Sequence, residues 1–281
     1  MALTVKRTRL LLKSMKKQPR VISMVPSWTE MLLTLNIPVV GRTRFCIEPE
    51  GLTQSILSVG GTKDWDFSAI QSLNPTLLIL DKEENPKFMS KGHSIPIVAT
   101  HVQDLESCAL GIHQIRHALE GTLGAEAQEG LQNLAERWSH LASRSFPANL
   151  TNPQFWQDFP GVMNWIKKPQ GPVEHIYYII WKNPWMVASQ ETFIGALFSK
   201  IGIRLLPQGT SAINRYPEVI LDRLDKLTTL LFFSSEPYPF HKKKSELEKL
   251  GFACALVDGQ AFSWFGLRSL LFLESYFKKS N

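Results

Sequence analysis

At 281 residues, 44% of them hydrophobic and 20% charged, the chain has enough apolar side chains for one large core or two smaller ones, which excludes an extended disordered protein. The formal net charge of +6 is uneven, because Lys6, Arg7, Arg9, Lys13, Lys16, Lys17 and Arg20 all lie at or before the first predicted strand. Residues 1–19 therefore read as a basic arm, a solvated tail rather than a nucleic-acid contact. The longest early apolar run, Leu10-Leu11-Leu12, is bounded by Arg9 and Lys13 and is too short for a signal peptide. No later segment approaches the roughly 18 apolar residues of a membrane span. Cys46, Cys108 and Cys254 are odd in number and widely spaced, which fits a reducing compartment better than a disulfide framework. The expectation is a cytoplasmic monomer, periplasmic only if the true N-terminus differs.

In chain order, a first α/β lobe is predicted over residues 20–102. Arg20–Val25 reads as a strand, and Pro26-Ser27-Trp28-Thr29-Glu30 as the start of a helix capped by Ser27 or Thr29. Helix starts at strand ends present N–H donors and a positive dipole end to a ligand crevice, which nominates Pro26, Ser27 and Trp28. Pro38–Gly41 is a second strand. It runs into Arg42-Thr43-Arg44-Phe45-Cys46, where two guanidiniums beside an aromatic ring suit an acidic or planar ligand. Gly60-Gly61-Thr62-Lys63 and Asp64-Trp65-Asp66 form a loop before a helix over Phe67–Leu73, without the spacing of a P-loop. Thr76–Leu80 is a buried strand by its continuous apolar run, and Ile95–Ala99 is the last strand of this lobe.

Residues 103–145 are predicted as a stiff helical connector. Leu105, Cys108, Ala109, Ile112 and Leu119 make one apolar stripe, and Ala127, Leu131, Leu134, Trp138 and Leu141 a second. The interruption at Gly121–Gly124 fits either a helical hairpin or one kinked helix. His113 and His117 lie four apart beside the first stripe and read as a solvated face, not a metal site.

A second α/β lobe is predicted over 146–281. Residues 146–174 lack a clean period and read as irregular; the Asn149-Leu150-Thr151 sequon matters only in a secreted protein. The predicted elements then are a strand at His175–Ile180, a helix at Glu191–Ile201, a short strand at Arg204–Leu206, and a helix at Glu218–Leu227. They continue with strands at Thr228–Phe233 and Ala255–Val257 and a terminal helix at Leu267–Lys278. Trp181, Trp185, Glu236, Tyr238, Phe240, Phe262 and Trp264 fall in loops after these strands, as do Phe45 and Trp65 in the first lobe. The fold class is α/β, two Rossmann-like lobes joined by a rigid helical connector, with a ligand cleft between the lobes. About half of the rings are expected to touch ligand and the rest to be core.

Arg20-Val-Ile-Ser-Met-Val-Pro-Ser-Trp-Thr-Glu30, Val39-Val-Gly-Arg-Thr-Arg44, Val59-Gly-Gly-Thr-Lys63 and Leu73-Asn-Pro-Thr-Leu-Leu-Ile79 resemble the class III periplasmic-binding-protein-like family. These are the substrate-binding proteins of iron-siderophore and cobalamin ABC importers, the helical backbone metal receptors. Lys82–Asn85, Ile180–Met186, Arg215–Glu218, Ser234–Phe240 and Asp258–Trp264 resemble a subgroup lacking a signal peptide. The resemblance, which runs from Arg20 onward, implies a metal-chelate ligand such as a cobalamin-like corrinoid or a ferric siderophore. It also implies an acidic residue on each lobe for docking a membrane subunit. Asp222 matches in the second lobe, whereas the first has Lys87 at the nearest position with Glu83 and Glu84 just before it, which weakens a transporter partner.

No G-x-S-x-G elbow, H-E-x-x-H helix or paired C-x-x-C site is present, so the expectation is a non-catalytic binder without a cofactor. Its rings stack on a planar chelate, while Arg42, Arg44, Lys63 and Arg268 meet acidic groups. Cys46, beside the two arginines, reads as a plain thiol ahead of a reactive one. The alternative is a chelatase-like enzyme acting on a tetrapyrrole or related chelate, with Glu236 and His241 as its best pair.

Overall fold

A computed structural model describes residues 18–144, 155–156, 159–207 and 214–279. The basic residues through Lys17 and the sequon lie outside the described residues. The described chain divides into two compact units, one holding the residues through His101 together with Leu110–Glu136, the other Val102–Ala109 and the residues from Arg137 onward.

The first unit is built on a parallel five-stranded sheet, in the order β3-β2-β1-β4-β5. The strands are β1 (Val21–Ser23), β2 (Val39–Arg42), β3 (Leu57–Ser58), β4 (Leu77–Asp81) and β5 (Ile97–Thr100). All five residues of β4 are buried, as expected of a continuous apolar run at the centre of a parallel sheet. Between strands lie α1 (Pro26–Thr34) and α2 (Phe67–Ser72). The strand order turns back between β1 and β4, so the carboxyl ends of these two neighbours form a topological switch point, the usual ligand position in open α/β sheets. The expected side-chain cap of α1 is corrected: Val25 occupies that position without a capping bond, and Pro26 sets the first helical φ. The Thr29 hydroxyl instead donates to the Val25 carbonyl at 3.0 Å.

Helices α3 (Leu105–Ala118) and α4 (Ala125–Ala142) are separate, with a turn at Gly121 whose φ of 77° favours glycine. Each changes unit along its length, α3 between Ala109 and Leu110 and α4 between Glu136 and Arg137. Their apolar stripes are buried at Leu105, Cys108, Ala109, Ile112 and Leu119, and at Leu131, Leu134, Trp138 and Leu141.

The second unit carries a mixed sheet in the order β6-β10-β9-β7-β8. Its strands are β6 (Val162–Lys167), β7 (His175–Trp181), β8 (Met186–Ala188), β9 (Thr229–Ser234) and β10 (Ala253–Val257). The three central strands are parallel, while β6 and β8 run antiparallel at the edges. Helices α5 (Phe193–Lys200), α6 (Lys244–Glu248), α7 (Gly259–Ser263) and α8 (Arg268–Lys279) complete it. Phe159, Phe198, Phe232 and Phe262 stack on one another with centroids 4.8–6.3 Å apart, and Tyr178 meets Phe198 and Phe262 edge-on.

Three expectations are corrected in this unit. Part of the stretch read as irregular forms β6, because Val162–Lys167 pairs along β10. Arg204–Leu206 is not a strand; its tie to the sheet is the Leu206 N–H donating to the Ile176 carbonyl at 2.9 Å. Glu218–Leu227 is not a helix but an extended run followed by a single 3-10 turn at Leu221–Arg223. Pairing with β8 decides this, through Ser189 N–H to Arg215 O at 3.1 Å, Val187 N–H to Pro217 O at 3.0 Å and Val219 N–H to Trp185 O at 2.9 Å.

Candidate functional site

In the first unit, the loops leaving the carboxyl ends of the strands are tied to one another by buried polar groups. Asn85, in the turn after β4, accepts from the Asp81 N–H at 2.9 Å and donates its amide to Met24 O at 3.3 Å and Thr62 O at 2.9 Å. One side chain thus spans the β1–β4 switch point and reaches the glycine loop. Asp81 is buried, and its carboxylate accepts from the Thr100 hydroxyl at 2.6 Å and the Glu83 N–H at 2.9 Å. Lys63 Nζ donates to Glu83 O at 2.9 Å, and His101 Nε2 lies 2.8 Å from Glu83 Oε1. Asn85, Asp81 and Thr100 were not nominated from sequence, because an Asn or Asp after a strand signals a turn and not what it spans.

The arginine loop is organised differently from the expected open pair of guanidiniums. Arg42 is a brace, donating from Nε to Thr53 O at 2.8 Å and from Nη1 to Thr43 O at 2.9 Å. Arg44 forms a bidentate pair with Asp64, at 3.0 and 2.9 Å, and its guanidinium carbon lies 5.1 Å from the centroid of the Phe45 ring. This pair holds the Arg44 guanidinium above and the Asp64 carboxyl below their ordinary pKa values, mainly through their mutual hydrogen bonds. A Cβ at Gly61 would lie 2.5 Å from Asp64 Oδ1 and 2.8 Å from Arg44 Nη2, so a larger residue there would shift the ends of this exposed pair. Phe45, Ile47 and Leu52 in the same loop are exposed apolar side chains. Cys46 is buried between the hydroxyls of Thr29 and Thr43, each 3.1 Å from its sulfur, and burial raises its pKa, which favours the thiol over a thiolate.

Four nominated rings are buried, Trp28, Phe240, Phe262 and Trp264. Trp28 is fully buried, donates Nε1 to Thr100 Oγ1 at 3.0 Å, and packs on Gly111 of α3. Phe240 and Phe262 are also fully buried, the first stacked on Trp185 and the second within the phenylalanine stack. Ser27 is buried and Pro26 half-buried. Trp65 is half-buried against Phe67, Phe88 and His93, with centroids 5.1–6.0 Å away.

In the second unit, the groups after β7, β9 and β10 form two adjoining sets. Trp181, at the end of β7, is 41% exposed and meets the half-buried Tyr238 edge-on at 5.4 Å. Tyr238 packs on Phe240, and Lys182 pairs with Glu246 beside the Trp185 ring. The other set centres on Glu236, whose Oε1 accepts from Trp264 Nε1 at 2.5 Å and which is also hydrogen-bonded to the Gln260 side chain. Burial pushes the Glu236 carboxyl above its ordinary pKa, opposed by the Trp264 and Gln260 bonds and assisted by the negative charge of Asp258. Asp258 caps α7 through Ala261 N–H at 3.1 Å, and Arg268 lies over the Trp264 ring at 5.5 Å. A Cβ at Gly259 would come within 2.5 Å of Ser234 Oγ and 2.8 Å of Glu236 Cγ, so this glycine lets α7 approach β9. The sequence places Gln260 in a loop after the last strand, and the structure forms the short helix α7 there behind the Asp258 cap, which brings its side chain to Glu236.

Among the described residues, no group of three or more His, Cys, Asp and Glu could hold a metal ion. His241 is exposed on the turn after Phe240, and His117 lies 3.3 Å from Glu120 on an exposed helix face. Of the groups nominated for docking, Asp222 is exposed and Glu83 and Glu84 are half-buried, while Lys87 is exposed.

No protein-family model and no curated protein matches the sequence. Solved structures do match over nearly the whole chain. The periplasmic vitamin B12 binding protein BtuF of Vibrio cholerae is 16% identical with a TM-score of 0.61, the match covering 93% of this chain and 97% of that one. The apo periplasmic heme-binding protein RhuT of Roseiflexus sp. RS-1 is 15% identical with a TM-score of 0.62, over 92% of this chain and 96% of that one. The siderophore binding protein FhuD of Vibrio cholerae, solved with Fe3+-Desferal, is 15% identical with a TM-score of 0.58, over 92% and 98%. With its two α/β units, the chain has the class III periplasmic-binding-protein fold.

Proposed function

We propose that this protein binds a metal-chelate small molecule without catalysis, through the loops at the carboxyl ends of the strands in each unit. One observation carries the reading. Each unit presents apolar or aromatic surface at those ends, Phe45, Ile47 and Leu52 in the first and Trp181 and Tyr238 in the second, on loops fixed from behind by hydrogen bonds or ring packing. Such surfaces suit a large, partly planar molecule, and fixed loops reduce the ordering entropy that binding costs. The similar structures include a vitamin B12 binding protein, a heme-binding protein and a siderophore binding protein holding Fe3+-Desferal, and these supply the class. The coordination shell of the metal is assigned to the chelator.

The buried thiols of Cys46, Cys108 and Cys254, which form no disulfide with one another, support a reducing compartment and hence a cytoplasmic carrier. Should a membrane subunit be the partner, Glu83, Glu84 and Asp222 are the residues to dock it. Calorimetric titration with cyanocobalamin, hemin and ferric desferrioxamine, alongside native mass spectrometry of the protein from its own source, tests the proposal. The expected result is a 1:1 complex with at least one chelate; failure of every chelate to bind overturns it.

A further inference from the structure

In the second unit the two rings offered to ligand come from different connections. Trp181 ends β7 and opens the turn into β8, whereas Tyr238 lies in the connection from β9 to α6. Ring contacts join the two, Trp181 edge-on to Tyr238 at 5.4 Å and Trp185 stacked on Phe240 at 6.2 Å. Such contacts are weakly directional and tolerate sliding of one ring across another. A directional tie lies beside them, because Lys182 Nζ donates to the Glu246 carboxylate and lies 5.5 Å from the centroid of the Trp185 ring. The Lys182 side chain is 15% exposed, although it leaves a surface turn from which a lysine ordinarily reaches into water. Asn183, in the same turn, has a φ of 64°, a left-handed conformation that asparagine tolerates better than most residues. Glu246 stands on α6 next to Leu247, which is buried with Ile179, Val187 and Phe240 in one apolar cluster, so the carboxylate has a fixed support.

We infer that Lys182 and Glu246 form a latch between the β7–β8 turn and α6, and that the latch sets the spacing and angle of Trp181 and Tyr238 for ligand binding. This rests on the reading above that these rings meet the ligand, and adds what holds them in register. Lys182 and Glu246 are thus positioning residues, and neither needs to touch the ligand. Without the latch, the turn carrying Trp181 samples arrangements in which the two rings no longer match the ligand. Affinity then falls in proportion to the competent fraction that remains. Glu246, 44% exposed, is solvated by water once the ammonium is gone, so the loss shows in binding more than in stability.

The test is a double-mutant cycle of Lys182→Met and Glu246→Ala in the full chain, titrated calorimetrically with whichever of cyanocobalamin, hemin and ferric desferrioxamine the wild-type protein binds. Each single variant is expected to weaken binding by about fivefold, the scale of one ion pair with a cation–π contact, and the double variant by no more than either. The two changes move the net charge in opposite directions, so a direct electrostatic effect on the ligand would give opposite signs, and independent structural roles would add. Lys182→Arg, which keeps a cation able to pair with the same carboxylate, restores affinity. A 5-fluorotryptophan label reads the turn without ligand: the 19F resonance of Trp181, assigned by its loss in Trp181→Phe, shifts or broadens in Glu246→Ala. Single variants that bind as the wild type does, losses that add in the double variant, or an unmoved Trp181 resonance overturn the inference and leave chelate binding standing. Binding of no chelate by the wild-type protein overturns the parent reading and the inference together. If Lys182→Met does not fold, Glu246→Ala decides alone, through affinity and the resonance.

Discussion

Replacing Trp28 by phenylalanine separates a core role from a ligand role. The indole is fully buried, donates to Thr100 Oγ1 at 3.0 Å, and lies so close to α3 that a Cβ at Gly111 would sit 3.0 Å from its Cζ2. The Trp28→Phe variant would lose this hydrogen bond, a net loss of about 1 kcal/mol. Thr100 would keep its own donation to Asp81 at 2.6 Å, so no buried donor is orphaned. The smaller ring forfeits roughly 40 Å² of buried apolar surface, about 1 kcal/mol at ~25 cal/mol/Å². Incomplete collapse of the vacated space adds up to about 1 kcal/mol, for a total of about 2–3 kcal/mol. With a urea slope of about 2 kcal/mol/M for the affected cooperative unit, the midpoint should fall by roughly 1 M. Chelate affinity measured well below the transition should stay within about twofold of wild type, less than the tenfold that 1.4 kcal/mol represents. An unchanged midpoint together with an affinity loss beyond about tenfold would refute the assignment of Trp28 to the core.

Three further outcomes are expected. Glu274→Gln breaks the bidentate bond that Arg137 makes at 2.8 and 2.7 Å and should destabilise the second unit at neutral pH; a loss of about 1–2 kcal/mol fits a half-buried charged pair. Because Arg137 holds the Glu274 carboxyl below its ordinary value of 4.5, that contribution is present above pH 4.5 and disappears as pH falls through the lowered value. Urea curves of wild type and variant should therefore converge on acidification, and a constant gap would contradict the pairing. Glu236→Gln should behave oppositely: burial raises this carboxyl above 4.5, so its neutral form favours folding below pH 4.5 and that advantage is lost as pH rises through the folded value. The variant should gain on wild type between pH 4.5 and neutrality, and a pH-independent difference would be evidence against a desolvated carboxyl. Cys46, Cys108 and Cys254 are buried, and burial pushes Cys254 up to about 11; an aromatic disulfide reagent should label them slowly in the native protein and rapidly in denaturant, whereas prompt native labelling of Cys46 would contradict its packing between Thr29 and Thr43.

The core of the fold was legible where one periodicity dominates. Thr76–Leu80 reads as a buried strand because every residue from Leu77 is apolar, and β4 is fully buried. The stripes of α3 and α4 were legible for the same reason, since their spacing admits one face. Strand β6 was hidden because Val162-Met163-Asn164-Trp165-Ile166-Lys167 sits at an edge, half-buried or exposed along its length, and does not need clean alternation. Glu218–Leu227 has helical spacing at Leu221 and Leu224, yet hydrogen bonds from β8 hold its start extended, a tertiary preference that no local window contains. The site was legible as a set of loops but not as a set of contacts. Trp28 and Trp181 both stand beside strand ends in sequence. Whether such a ring is core or surface depends on neighbours far along the chain, such as the missing side chain of Gly111 that admits the Trp28 indole.

The two units stiffen the same topological position by different means, and this bears on what each can contribute to binding. The first relies on polar stitching, with Asn85 joining three backbone segments, Arg42 bracing its own loop and Arg44 paired to Asp64. Its polar groups are largely used in positioning, leaving Phe45, Ile47 and Leu52 as surface to offer. The second relies on packed rings, with Phe240 stacked on Trp185 and Tyr238 resting on Phe240, so that Trp181 and Tyr238 are presented from a rigid base. Its polar group is Glu236, positioned by Trp264 and Gln260. Surfaces of this kind offer apolar area and a preorganised shape. The guanidiniums of the first unit are positioned in the same spirit, Arg42 by the carbonyls of Thr53 and Thr43 and Arg44 by the carboxylate of Asp64, each through two of its five N–H donors.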